Sequence, residues 1–172
     1  MGTPELNWTN EIDIQLGASL DMLKVAIETA TNDLWDHPDH EPRFWKICVH
    51  ITYGVDFYCS VFQPNSDDYD NYELPQFLHK YSKTSIQEVE EVIAQEDVLK
   101  FLEYGRKRLR KAFDSNLHLQ FRDPSGFEWL PMNKAQLLLY NMRHIMEHTA
   151  ILNQILKKHG LPASTWRVTG KI

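Results

Sequence analysis

Cysteine, glycine, positive charge and long apolar runs are all scarce in this 172-residue sequence, and each shortage removes a class of protein. No stretch approaches the roughly 20 apolar residues that span a bilayer, so no membrane partner is expected. No run of glycines resembles a phosphate loop, and there is neither an internal repeat nor a low-complexity tract. The only cysteines, Cys48 and Cys59, fall on one expected helix, where eleven residues mean a rise of about 16 Å. That separation forbids a disulfide between them and makes a reducing, cytoplasmic setting the expectation. Met1 to Gln15 has no basic residue and no apolar core, so no secretory signal is expected, and Leu6 stands where a myristoylation signal places Ser or Thr.

The net charge of -6 gives no general attraction to nucleic acid or to an anionic surface. Charge is nevertheless uneven: residues 1–84 carry 14 acids and 5 bases, and residues 85–172 carry 10 acids and 13 bases. The basic excess peaks in Arg106-Lys-Arg-Leu-Arg-Lys111. This run ends a helical stretch that opens with Glu88, Glu90, Glu91, Glu96 and Asp97, an order that complements the helix dipole. A solvated face is expected there rather than a nucleic-acid site.

What is present reads as one folded domain over residues 1–172, with 42% hydrophobic and 24% charged residues. Four helical segments cover most of it. The first spans about Asn10 to Leu34, with Thr9 as cap and Leu16, Leu20, Leu23 and Ile27 at helical spacing. Two prolines punctuate Asp36-His-Pro-Asp-His-Glu-Pro42. The second runs from near Pro42 to about Phe62 and is apolar almost all round, which implies burial; its β-branched content also permits a strand, but its length favours helix. Gln63 to Thr84 reads as a long irregular connection of the kind that covers sites. The third helix starts at Ser85 with Glu88 completing a capping box and runs to about Phe113, with a possible break at Gln95-Glu-Asp97. A second long connection, Asp114 to Pro131, contains the turn Asp123-Pro-Ser-Gly126. The last helix has Asn133 as N-cap, Gln136 three residues on, and Gly160 and Pro162 as stops. Four helices with long connections after the second and third make an all-α four-helix bundle the expected architecture.

Chemistry concentrates in His144-Ile-Met-Glu-His148. Residues four apart share a helix face, and the stripe Leu137, Asn141, His144, His148, Ile151 and Ile155 turns both imidazoles inward. On the second helix His50 lies on a matching stripe, one turn from Gly54, which leaves room beside an imidazole. Each histidine alone reads as a hydrogen-bonded core residue. Together, His50, His144 and His148 suit one divalent transition metal, which satisfies one nitrogen of each and keeps coordination positions open. Glu147 directly precedes the second histidine, whereas zinc proteases place Glu directly after the first, so that activity is rejected. His79, in the acidic connection, reads as a surface residue rather than a fourth ligand. His37, His40, His118 and His159 sit in loops or at helix ends and receive no role.

His50 followed by Tyr53-Gly-Val-Asp-Phe-Tyr58, then Arg143-His-Ile-Met-Glu-His-Thr-Ala-Ile-Leu152 and Trp166, resembles the DinB-like superfamily of metal-binding helical bundles. The resemblance covers nearly the whole chain. It implies an up-down-down-up bundle, a homodimer, and zinc or nickel held by His50, His144 and His148. Some relatives are thiol-dependent transferases or thiol-linked isomerases. One departure is Ile151, where many members have Gln, so no specific substrate transfers.

Two functions follow as expectations. In the first, the cation favours the anion of a bound thiol or water, for transfer of a small-molecule thiol onto an electrophile or for a hydrolysis, with Tyr53, Asp56 and Asn141 as neighbours of the site, although Asp56, about 240° from His50 on the helix, equally suits a surface or capping partner. In the second, the metal or histidine cluster is structural and the bundle is a non-catalytic, dimeric binding module.

Overall fold

The computed structural model describes residues 7–62, 89–115 and 117–172. The described chain is all-helical: α1 (Trp8–Thr29), the single turn α2 (Asn32–Trp35), α3 (Phe44–Cys59), α4 (Gln95–Asp114) and α5 (Lys134–Lys158), with short 3-10 turns at Ser60–Phe62 and Leu117–Gln120. No strand forms among the described residues; an isolated bridge joins Pro124 to Asn133. No helix among them is long and apolar enough to cross a membrane.

The four long helices pack so that α3 lies against α4 and α5, and α1 against α5 and α4. Between them lie Leu16, Leu20, Leu23 and Ile27 of α1, Trp45, Cys48, Ile51 and Val55 of α3, Phe101 and Leu109 of α4, and Leu137, Ile145, Leu152 and Leu156 of α5, all almost fully buried. Cys48 and Cys59 are both free, buried thiols whose pKa burial pushes up, Cys59 to about 12, so neither is a thiolate near neutral pH.

The helix boundaries depart from the periodicity where side chains compete for backbone groups. Asn7, not Thr9, caps α1, its side chain accepting from the Asn10 N–H at 3.3 Å. The first helix ends at Thr29 rather than Leu34, because Ala30 turns extended (ψ 130°) and Thr31 caps a new turn. The carbonyls released by that ending are taken by Gln95, whose Nε2 donates to Ile27 O at 2.5 Å and Ala30 O at 3.1 Å. The third helix does not run through from Ser85: residues 89–94 are not helical, and Gln95-Glu-Asp97 is the first turn of α4 rather than an interruption. Indole Nε1 of Trp35 donates to Ile93 O at 2.7 Å, which holds that lead-in segment. The expected Ser85–Glu88 capping box, the Gln63–Thr84 connection and His79 lie outside the described residues. The capping box of the last helix is present in full, with Asn133 and Gln136 bonding each other's backbone N–H groups at 2.9 Å.

The basic run is not a solvated face throughout. Arg108 is buried and paired with Asp56, while Arg106 pairs with Asp21 at 2.6 Å and Arg110 with Asp13 at 2.7 Å. Arg106 and Arg110 also donate to the carbonyls of Lys171 and Ile172. Their charge fastens residues 170–172 across α1, where Gly170 N–H bonds Ile14 O and the missing Cβ of Gly17 leaves space for the Lys171 backbone.

Candidate metal centre

His50 on α3 and His144 and His148 on α5 converge, because α3 and α5 pack side by side and the i, i+4 spacing puts the two α5 rings on one face. The Nε2 atoms of His50 and His144 stand 3.0 Å apart. Ring centroids are separated by 4.9 Å (His50 to His144), 4.9 Å (His50 to His148) and 4.7 Å (His144 to His148), each pair nearly perpendicular. One ring nitrogen from each residue lies within 4.8 Å of the other two. Three nitrogens at zinc-like bond lengths of about 2.0–2.1 Å with tetrahedral angles stand about 3.4 Å apart, so the rings need only small movements to share an ion.

The polar bookkeeping of the cluster favours a cation. A proton shared between two facing imidazole nitrogens serves one pair and leaves the third ring without a partner. On the same helix, His144 Nδ1 and the buried Asn141 Oδ1 have no hydrogen-bond partner among the described residues. Desolvation lowers the pKa of all three histidines: His144 falls to about 4, assisted by the neighbouring His50 and His148, and His50, whose ring is desolvated by the groups packed round it although the residue is exposed at its outer edge, is depressed by that and then by His148. For His148 burial lowers the pKa against the opposing pull of Glu147. All three are therefore neutral at pH 7, which is the ligating form.

The rings are not core residues. The buried residues of α5 are Leu137, Leu138, Asn141, Ile145, Thr149, Leu152 and Leu156: Leu137 and Asn141 of the expected stripe are buried, and from His144 onward the buried positions fall one residue on, about 100° round from it. His144 and His148 flank the buried positions half-buried, His50 is exposed, and Ile151 is 39% exposed. The displacement arises because α5 packs between α1 and α3 and buries an arc set by both neighbours. Its consequence is a cluster that solvent and small molecules can reach.

Gly54 makes room as expected, but for the ring across the helix interface. A Cβ there would stand 2.7 Å from His144 Cε1 and 3.0 Å from Nδ1. Beside it an aromatic wall closes one side: Tyr58 meets His144 edge-on at 6.0 Å, Tyr140 at 5.3 Å and Phe127 at 6.0 Å, and Phe57 stacks on Phe127 at 4.8 Å. Burial, followed by Tyr140, pushes the Tyr58 hydroxyl well above the usual phenol range, so it stays protonated.

Of the three expected neighbours, Asn141 is buried one turn before His144, and Tyr53 stacks on Phe57 at 5.6 Å. Asp56 is not a neighbour in this sense. It is buried toward α4 in an ion pair with Arg108, as its position about 240° from His50 on the helix requires. Sequence reasoning missed Tyr58 and Tyr140, whose only signal was an aromatic run, and it missed that His37, His40 and His159 also come together.

No family model, curated protein or solved structure matches the chain.

Proposed function

We propose that the chain is a DinB-like metalloprotein, an up-down-down-up four-helix bundle that holds zinc or nickel through His50, His144 and His148 and works as a cytoplasmic homodimeric enzyme on a small-molecule thiol or electrophile. The observation that carries this reading is the convergence of three neutral imidazoles from two helices at a solvent-accessible margin. A divalent transition metal supplies Lewis acidity there, lowering the pKa of a thiol or water at neutral pH.

The chain's own residues contribute holding, access and shape. His50, His144 and His148 present unprotonated nitrogens. Exposure of His50 leaves an approach from solvent, whereas the Tyr58, Tyr140 and Phe127 wall excludes water from one side. The protonated Tyr58 hydroxyl is a hydrogen-bond donor rather than a base. Thiol transfer is preferred over hydrolysis because the wall is aromatic and the cluster has no carboxylate turned into it to act as general base among the described residues; Glu147 is exposed.

The test is elemental analysis of tag-free protein, followed by assay of thiol substitution on an electrophile such as 1-chloro-2,4-dinitrobenzene, in which the C–S bond forms as chloride and a proton are released, with the metal present and after chelation. One equivalent of metal lost in His148→Ala, together with loss of turnover in a protein that still melts near the wild-type temperature, is the expected result. A large fall in melting temperature with no turnover in the wild type would assign the metal to folding instead, the non-catalytic alternative.

A further inference from the structure

We propose that His37, His40 and His159 form a second binding site for a divalent transition-metal ion, which ties the turn before α3 to the C-terminal end of α5. His40 is buried, 8% exposed, and its Nε2 lies 2.7 Å from Nε2 of His159. His37 completes the group, with ring centroids 5.0 Å from His159 and 5.9 Å from His40. One nitrogen of each ring is within 4.8 Å of the others.

Hydrogen bonds within the chain hold both sides of this geometry. The turn places His37 and His40 three residues apart, with His40 N–H directed to His37 O at 3.4 Å. Asp36 fixes the turn to the start of α3, accepting from Arg43 at 3.1 Å and from the Trp45 indole at 2.8 Å. His159 is held as the C-cap of α5, its N–H bonded to Ile155 O at 3.2 Å and Leu156 O at 3.1 Å.

The electrostatics of the place suit a cation. The end of a 25-residue helix carries partial negative charge on its last carbonyls, and Asp39 Oδ2 stands 3.9 Å from His37 Nδ1. Lys158 is the opposing charge near His40. His37 Nδ1 accepts the Asp39 backbone N–H at 3.3 Å, a bond the ring gives up when it turns a lone pair to the ion. One proton between His40 and His159 leaves His37 outside the exchange, whereas an ion accepts a lone pair from all three. With three imidazole ligands and His159 exposed, water completes the coordination.

This site is independent of the first. His148 and His159 are eleven residues apart, about 16 Å along the helix and only about 20° apart in direction, so two ions sit on one side of the α3–α5 seam without sharing a ligand. The second differs in what it joins: a turn and a helix end rather than two helix faces. Its effect is on the anchoring of that turn.

Titration of tag-free, chelator-stripped protein with Zn2+ alone tests it. Wild type is expected to bind two equivalents, His148→Ala one, His159→Ala one, and the double variant none. In the His148→Ala background, Zn2+ at about a hundred times Kd is expected to raise the melting temperature by about 5–10 °C. His159→Ala, and separately His37→Ala, should remove that rise. Both residues are accessible, so neither change costs the fold what truncating buried His40 would. A folded His148→Ala protein that binds no Zn2+, or one whose residual Zn2+ survives both His37→Ala and His159→Ala, overturns the proposal. If instead His148→Ala keeps the wild-type stoichiometry of one and His159→Ala abolishes it, the second site stands and the first falls.

Discussion

Gly54 and His144 interlock: the imidazole of one helix occupies the space a Cβ on the other would need, 2.7 Å from Cε1. The obstructing atoms are the far end of a side chain, so Gly54→Ala is relieved by swinging the ring. Stability should hold or rise by up to about 1 kcal/mol, because alanine is the better helix former. Zn2+ affinity at the His50, His144 and His148 cluster should fall at least about tenfold, since a ligand ring is displaced. Calorimetric titration beside a thermal melt reads both, and unchanged affinity would remove Gly54 from the site.

Stability of the metal-free protein should fall with acid in a defined window. The folded-state pKa of His144 is about 4, below its ordinary 6.5, and those of His50 and His148 are also lowered. Below pH 6.5 the unfolded chain therefore binds more protons than the native one, so stability decreases as pH drops from about 6.5 to about 4 and levels off beneath that for these groups. His144→Gln, which removes that group, should show a shallower fall in melting temperature than wild type as pH drops across that range; an equal slope would take His144 out of the account.

Asp56 belongs to stability, not to the metal. Removing it takes the paired carboxylate away from buried Arg108, and loss of one partner of a buried pair costs about 3–5 kcal/mol. Asp56→Ala should show that loss in urea unfolding while the folded fraction keeps Zn2+ affinity within about twofold. A selective loss of affinity would place Asp56 at the metal after all.

Asn133 both accepts the Gln136 N–H and is bonded in return, so Asn133→Ala should cost about 1 kcal/mol. For a chain of this length that is a drop of about 2–4 °C in melting temperature. Gln136→Ala, which removes the other reciprocal bond, should cost less, because Gln136 lies within the helix and the higher helix propensity of alanine offsets part of the loss.

Local chemistry was legible where it acts within a turn or two. Helical class, the Asn133 capping box, the stop after Lys158 and the i, i+4 pairing of His144 with His148 all depend on backbone periodicity and on neighbours along the chain. The break at Ala30 and the late start of α4 were not legible as such, because Gln95 settles the first by reaching carbonyls 65 and 68 residues away. The arginines of the basic run read as solvated because their partners, Asp13, Asp21 and Asp56, lie on other helices.

By itself the sequence determined that the chain is helical and that two imidazoles share one face of its last helix, since 3.6-residue periodicity follows from backbone geometry alone. Tertiary packing decided the rest: that His50 meets that pair across α3 and α5, that the three rings sit at a margin open to solvent, and that His37 and His40 find His159 across a separation of more than a hundred residues. The physical reason is that a helix face specifies direction only relative to its own axis. Which neighbour fills that direction is set by how the helices bury their apolar arcs together.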